Sequence, residues 1–283
     1  MQPVEKYLAK KKKDDLIKIL EGFPSLIVAF SGGVDSTFLL AVASDTIGDR
    51  VTAVTANSIV QPITDMERAA KFTQERAIEH VMFESDEKSI PGFTANSPDR
   101  CYYCKKALCI NLRQIAQERG ISHIAHAVNT DDLGDYRPGI KAAEEMGLTA
   151  PLVDAGLSKE EIRYLSKEMG LATWDKPSMA CLASRIPYGT PITEEYISMI
   201  KRAEKLLADE GFIQYRVRHY GTVARIEVEE KEITRLTGTA LRKKIILELK
   251  EIGFKYIALD LEGFTSGSMN RELEIPVEKN DES

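Results

Sequence analysis

The chain has 283 residues, of which 43% are hydrophobic and 29% are charged, and its formal net charge is −6. This composition is typical of a globular protein with room for two domains, and the negative charge argues against a broadly basic nucleic-acid binder. No apolar run reaches the ~20 residues of a membrane helix, and the first residues lack the apolar core of a signal peptide. We therefore expect a cytoplasmic protein with no membrane partner, whose four cysteines serve metal binding or catalysis rather than disulfide bonds.

The first strong signal is a glycine turn between two apolar runs. A surface helix is predicted over residues 4–21, and Leu26–Phe30 then indicates a buried parallel strand. The polar stretch Ser31–Ser36 (SGGVDS) follows and leads into a second apolar run that is typical of a buried helix. Glycines allow a close approach of the backbone, and a helix start offers free N–H groups and a favourable dipole to an anion. The sequence thus predicts an anion site here, with Asp35 either holding Mg²⁺ or capping the helix.

Further strands and a helix follow in alternation. Val51–Ala56 and His80–Phe83 have the pattern of strands, and Ile63–Ile78 that of an amphipathic helix. This rhythm predicts an α/β fold, a doubly wound parallel sheet. Ligands of such sheets bind beyond the carboxyl ends of the strands, so we expect Asn57 near a nucleotide.

Two cysteines open the next predicted helix, which runs to Gly120. Cys101 and Cys104 are three residues apart, which places both sulfurs on one side of the helix, as metal chelation requires. Cys109 falls in line with an apolar stripe of the same helix, and we predict that it belongs to the core.

The fourth strand, predicted over residues 122–128, runs into a polar segment that begins at Asn129. Its position at a strand end again predicts a nucleotide neighbour. The aspartates Asp131, Asp132 and Asp135 either bind Mg²⁺ or a nucleotide, or merely solvate the loop.

Three features precede the end of the first predicted domain. Leu152–Asp154 has the pattern of a short strand, and Ser158–Glu161 is typical of a capping box that begins a helix. The segment Trp174–Gly189 is loop-like, and its prolines fix the backbone while leaving Lys176 and Cys181 free to point inward.

A smaller α+β domain is predicted after Gly189. Its elements are a helix over 193–210, strands over 215–220 and 224–228, a helix over 232–252 and a strand over 255–259. Arg216 and Arg218 share one face of their strand, which indicates either a phosphate or carboxylate site or a solvated sheet face. We therefore predict domains at 1–189 and 190–283, the second with an acidic, disordered tail.

The stretch Ser31–Ser36 resembles the pyrophosphate loop, or PP-loop, of the ATP pyrophosphatases, which cleave ATP between the α and β phosphates. The rest of the chain is similar to one branch, the LarE sulfur transferases of nickel-pincer nucleotide biosynthesis. The segments that carry this likeness are Arg100–Lys105, Asn129–Gly139, Lys176–Gly189 and the hairpin with Arg216 and Arg218.

The resemblance implies an ATP-dependent sulfur transfer in two steps. A carboxylate of a pyridinium dicarboxylate mononucleotide attacks the α-phosphate of Mg·ATP, and pyrophosphate leaves into the loop. Sulfur then displaces AMP from the acyl-adenylate and gives a thiocarboxylate. The resemblance further implies ATP and Mg²⁺ as cofactors, a small-molecule nucleotide substrate, a sulfide or other sulfur donor, and a symmetric homo-oligomer.

Two sulfur sources occur in this family. One is a [4Fe-4S] cluster held by three cysteines, which Cys101, Cys104 and Cys181 fit because three thiolates leave one iron open. The other is a single cysteine in the role of Cys181, which gives up its own sulfur. We expect the cluster version.

The resemblance also implies roles for the remaining site residues. Those expected to bind ATP, pyrophosphate or Mg²⁺ are Ser31, Gly32, Gly33, Asp35, Ser36, Asn57, Asn129 and Asp132. Those expected to face the acyl-adenylate are Lys176, Ser184 and Arg185, with Cys181 as a catalytic residue. Those expected at the substrate phosphate are Arg216 and Arg218, with Glu204 and Glu227 near them.

Two alternatives from other classes remain open. A tRNA thiolase would share the loop and the cysteines, but it should carry an RNA-binding domain or a basic surface. The run Lys10–Lys13 is predicted to be a solvated helix face instead. A structural zinc protein would use all four cysteines as a closed thiolate site.

Overall fold

The computed structural model describes residues 1–61, 63–134, 138–177, 180–265 and 267–272. The chain forms two compact units. The first comprises residues 1–94 and 99–181, and the second comprises residues 95–98 together with the chain from Leu182 onward. Asp135 and the tail from residue 273 lie outside the described residues.

The first unit is built on a parallel sheet. Its strands are β1 (Leu26–Ala29), β2 (Val51–Asn57), β3 (Glu79–Glu84) and β4 (His123–Ala125). They lie in the order β3-β2-β1-β4, with Leu26 opposite both Val51 and His123. β1 is central and wholly apolar because both its faces are covered. The predicted α/β fold with a parallel sheet is confirmed.

Helices pack against this sheet. They are α1 (Pro3–Glu21), α2 (Val34–Ile47), α3 (Ile63–Glu75), α4 (Pro91–Thr94), α5 (Arg100–Arg119), α6 (Pro138–Glu145), α7 (Pro151–Asp154) and α8 (Lys159–Glu168). The central helix α2 is buried along almost its whole length, and Phe38, Leu39 and Leu40 are fully enclosed. Its start, which follows β1 directly, is thereby held rigidly at the carboxyl edge of the sheet.

The second unit is a small α+β structure. Its helices and strands are α9 (Glu194–Asp209), β5 (Tyr215–Tyr220), β6 (Val223–Val228), α10 (Ile233–Thr237), α11 (Thr239–Ile252) and β7 (Tyr256–Leu259). β5 and β6 form the predicted antiparallel hairpin, and β7 pairs with β6 in parallel. The smaller C-terminal domain of the predicted fold class is therefore present.

Two predicted elements are wrong. Leu152–Asp154 belongs to a helical turn rather than a strand, because Pro151 occupies its first position, where the fixed φ suits a helix and the missing N–H costs nothing. The single helix predicted over 232–252 is broken at Gly238, whose ψ of 137° is extended. Glycine is poorly suited to a helix interior because ordering it loses more backbone entropy than ordering other residues.

The units divide after Cys181, whereas the sequence places the domain boundary at 189/190. Asn96 contributes to the difference. Its buried side-chain amide donates to the carbonyl oxygens of Ile186, Pro187 and Thr190 at 3.3, 2.7 and 2.8 Å. Within the described ranges, no helix has the length and apolar character needed to cross a membrane.

Candidate functional site

The glycine turn between β1 and α2 is shaped in advance for an anion. Gly32 has a φ of 68°, and a Cβ there would lie 2.9 Å from the carbonyl oxygen of Asp65, so only glycine fits. The Ser36 hydroxyl lies 3.1 Å from Ser31 Oγ and 3.2 Å from the oxygen of Gly33, to which it donates. The turn therefore presents the open N–H groups of the α2 start in a fixed arrangement.

This turn opens into a pocket of about 270 Å³ in the first unit. Five predicted site residues line it: Ser31, Gly33, Asp35, Lys176 and Cys181. The pocket therefore brings the glycine turn, called the phosphate turn below because phosphate binding is predicted there, together with the predicted catalytic cysteine. These residues are far apart in the sequence.

Three polar residues of the pocket were not predicted: Gln61, Asp65 and Lys159. Lys159 is the first residue of α8, whose capping box the sequence shows correctly: Ser158 Oγ accepts from the Glu161 N–H. The capping box was the sequence signal that could have identified Lys159. It shows that a helix begins at this residue, and the first side chains of that helix lie near the carboxyl ends of the strands.

Two lysine–aspartate ion pairs cross the pocket. The Lys159 ammonium bonds to Asp35, whose other carboxylate oxygen lies 3.4 Å from the Asn129 amide nitrogen. The Lys176 ammonium lies 2.7 Å from Asp65 Oδ1 and donates to the carbonyl oxygen of Gly32 at 3.1 Å. Both lysines are thus positioned at the edge of the phosphate turn.

The polar side chains that follow β4 form hydrogen bonds with backbone groups of their own loop and of α8. Asp132 accepts from the N–H of Asn129 at 3.0 Å, and the N–H of Asp131 donates to Asn129 Oδ1 at 3.0 Å. Asp131 in turn accepts from the N–H of Lys159 at 3.0 Å. Asn129 therefore reaches Asp35, whereas both aspartates accept backbone N–H groups.

Asn57 ends β2, as predicted, but it is not one of the pocket-lining residues. Its amide donates to Glu84 at 2.7 Å, at the end of the neighbouring strand.

The predicted cysteine pair stands at the start of α5, where Cys101 is exposed and Cys104 half-buried. The pKa of the Cys104 thiol is raised to about 12, mainly by burial and to a smaller extent by charge repulsion from the neighbouring Cys181, Glu87 and Cys101. Cys101 and Cys181 are therefore both within electrostatic reach of Cys104. In the part of the chain that the structure describes, no three Cys, His, Asp or Glu side chains are arranged to hold a single metal ion.

Cys109 is separate from these three cysteines. It is fully buried in an apolar cluster with Leu112, Ile124 and Leu148, which confirms its predicted place in the core.

The second unit contains a buried group of arginines and glutamates. Arg185 is fully buried and makes two bonds to Glu204 of 2.7 and 3.0 Å, while Arg218 makes two to Glu227 of 2.8 and 2.7 Å. Arg218 also donates to the carbonyl oxygen of Ser184 at 3.0 Å. Bidentate pairs of this kind are strong and geometrically specific.

Arg216 lies in the same group. Its guanidinium is 4.7 Å from the centre of the Phe264 ring and donates to the carbonyl oxygen of Tyr215 at 2.6 Å. Its pKa is lowered to about 10, mainly by burial and to a smaller extent by the positive charges of Arg185 and Arg218. With Arg216 and Arg218 each only 3–4% exposed, the alternative of a solvated sheet face is wrong.

Comparison with known proteins agrees with this geometry. The NAD synthase family model matches residues 10–131. An uncharacterised protein of Synechocystis sp. is 38% identical over 94% of this chain and 99% of its own length. The pyridinium-3,5-bisthiocarboxylic acid mononucleotide synthase of Lactiplantibacillus plantarum is 37% identical over 93% of this chain and 95% of its own length. A GMP synthase subunit of Thermoplasma acidophilum is 28% identical over 65% of this chain and 63% of its own length.

A parallel sheet, a glycine turn before a buried helix and a pocket of about 270 Å³ at that turn fit the class of PP-loop ATP pyrophosphatases. The match to the Lactiplantibacillus plantarum synthase, which covers nearly the full length of both chains, identifies the branch of that class. The chain belongs to the LarE family of PP-loop sulfurtransferases, and it is an ATP-dependent enzyme.

Proposed function

We propose that the enzyme adenylates a carboxylate of a pyridinium dicarboxylate mononucleotide and converts it to a thiocarboxylate, a step in the biosynthesis of a nickel-pincer cofactor. The observation that supports this most directly is that Cys181 and the pyrophosphate turn line one pocket. A sulfur transferase that activates its substrate with ATP needs these two groups together, because the acyl-adenylate forms where the sulfur must attack.

The residues of the pocket have complementary tasks in the first step. The N–H groups at the start of α2 and the hydroxyls of Ser31 and Ser36 receive the leaving pyrophosphate. Asp35 holds Mg²⁺ on the phosphates. Lys176 lies at the pocket wall next to Gly32, where its charge stabilises the negative charge that develops as the α-phosphate is attacked.

For the second step we propose that Cys101, Cys104 and Cys181 hold a [4Fe-4S] cluster. The thiols fit such a group because Cys101 and Cys181 both influence the ionisation of Cys104, and because a cluster binds each cysteine to a different iron, so its ligands need not converge on one point. When bound, it would supply an open iron that carries the transferable sulfide. Cys109 is buried among apolar side chains, which argues against the closed four-thiolate zinc site.

Arg216 and Arg218 of the second unit are proposed to bind the substrate phosphate. Glu204 and Glu227 fix Arg185 and Arg218 in bidentate pairs, and Arg185 and Arg218 place positive charge around Arg216. A phosphate oxygen would offset that charge at Arg216, whose ionised form is disfavoured by its surroundings.

The test is anaerobic iron and acid-labile sulfide analysis, combined with pyrophosphate release from ATP in the presence of pyridinium dicarboxylate mononucleotide. We expect iron and sulfide in the wild-type enzyme, and loss of both together with sulfur transfer in Cys101→Ala, Cys104→Ala and Cys181→Ala. Cys109→Ala is the matched control and should keep the cluster. Iron-free wild-type protein that loses the single sulfur of Cys181 and stops after one turnover, with dehydroalanine at this position, would instead establish the sacrificial route.

A further inference from the structure

The positive and negative charges of the side chains that line the pyrophosphate pocket cancel. They are Asp35, Asp65, Lys159 and Lys176 among the described residues, and each aspartate takes one lysine. A pocket that binds a triphosphate by electrostatic attraction alone would show excess positive charge. The α2 start still offers N–H groups to a phosphate, but the side chains add attraction for ATP only when another cation replaces a lysine on its aspartate.

Lys159 is the better placed of the two lysines for such a replacement. Its side chain is 29% exposed and its ammonium bonds to Asp35 at the mouth of the phosphate turn. Lys176 is only 10% exposed and is held at two points, by Asp65 and by the Gly32 oxygen. The backbone of Lys159 is fixed by the capping box and by Asp131, so its long side chain can move while its base stays in place.

We propose that Lys159 and Mg²⁺ exchange on Asp35 when Mg·ATP binds. The ammonium–carboxylate pair breaks, the metal takes the carboxylate, and the freed ammonium moves to a phosphate oxygen. This inference rests on the proposed placement of Mg·ATP at the turn. It makes Lys159 an ATP-binding residue, and it couples the two ligands, because the metal alone must displace an ammonium and ATP alone must approach a carboxylate.

The exchange predicts opposite effects of one substitution. In Lys159→Gln, Asp35 loses its internal competitor, so Mn²⁺ without nucleotide should bind about tenfold more tightly than to the wild type. Mg·ATP should bind about tenfold more weakly, because the phosphate loses a charged partner. Mn²⁺ binding is measured by electron paramagnetic resonance and Mg·ATP binding by calorimetry, both on the full chain.

Two further variants sharpen the test. Lys18→Gln removes an exposed lysine–aspartate pair of 2.8 Å within α1, which takes no part in the capping box at Lys159, and it should leave both affinities unchanged. Adding Asp35→Asn to Lys159→Gln should abolish the gain in Mn²⁺ affinity, which assigns the metal to Asp35.

Unchanged Mn²⁺ binding in Lys159→Gln, or a parallel loss of both affinities, would overturn the exchange. A wild-type enzyme that fails to bind Mg·ATP would reject the proposed function instead, so the two failures are distinguishable.

Discussion

Burial keeps one histidine of the first unit neutral. His126 directly follows β4 and is 6% exposed. The pKa of its ring is lowered to about 4, mainly by removal from water and to a smaller extent by the positive charge of Lys105. The histidine therefore binds a proton less readily in the folded protein than in the unfolded chain.

This difference predicts acid sensitivity. The unfolded histidine titrates near pH ~6.5, so the stabilisation is complete above that value and is lost progressively as the pH falls toward 4. The free energy of unfolding should fall by up to about 3 kcal/mol over this range. Urea unfolding between pH 7.5 and 4.5 measures it, and His126→Leu should flatten the slope.

His123→Gln is the control, because His123 is more exposed and lies on the same strand. A pH dependence that is identical in wild type and His126→Leu would contradict the prediction.

Single residues of the site could be predicted where their role is local. The glycines and serines of the phosphate turn and the buried Cys109 follow from spacing within a few residues. Lys159 and Asp65 were missed because their ion pairs join residues 124 and 111 positions apart, which no local pattern shows.

At the scale of elements, α8 connects several parts of the site. Its first residue, Lys159, bonds to the phosphate turn, and Arg163, one turn later, faces the segment before Cys181. The Arg163 guanidinium donates to the carbonyl oxygens of Trp174 and Lys176 at 2.8 and 2.6 Å. One planar fork thus fixes the backbone that carries Lys176.

We expect Arg163→Lys to lower kcat for pyrophosphate release roughly 10- to 100-fold with little change in the affinity for ATP, because an ammonium cannot copy the planar fork and Lys176 shifts. Steady-state kinetics and calorimetric ATP binding separate the two effects. Arg163→Met should be slower still. A loss of ATP affinity at constant kcat would show that Arg163 does not position this segment.

Elements were predicted best where apolar runs are long. β1 and α2 follow from their composition, whereas the turn at Pro151–Asp154 was mistaken for a strand. A segment of four residues is too short for its periodicity to distinguish a strand from a helical turn. Pro151, which suits the first position of a helix, was the more informative residue.

At the scale of the whole molecule, the charge distribution argues against RNA as a substrate. The net charge is −6, and the lysine run near the amino terminus is partly used: Lys10 pairs with Glu168 at 3.5 Å and Lys12 with Glu161 at 2.7 Å. A net negative charge opposes binding to a phosphate backbone, and two of the four lysines in this run already have a carboxylate partner.

We therefore expect no binding of bulk tRNA at about 150 mM salt in a fluorescence anisotropy assay. A basic RNA-binding protein serves as the positive control. Micromolar affinity that falls linearly with the logarithm of salt concentration would favour the tRNA thiolase alternative.

The overall architecture was accessible from the sequence because the alternation of strands and helices is strong. The place of residues 95–98 in the second unit was not, because the partners of Asn96 are 90 to 94 positions away. A buried amide whose acceptors are distant in the sequence produces no periodic pattern from which the contact could be predicted.

The assignment of residues 95–98 to the second unit has a consequence for synthesis on the ribosome. All four strands of the first sheet have been translated by residue 125, but Asn96 must wait for carbonyl groups of residues 186–190. In a nascent chain halted between these points, the Asn96 amide bonds to water instead of to these carbonyl groups, so completion of the second unit is delayed. Because residues 95–98 lie within the sequence of the first unit, no single cut of the chain separates the two units.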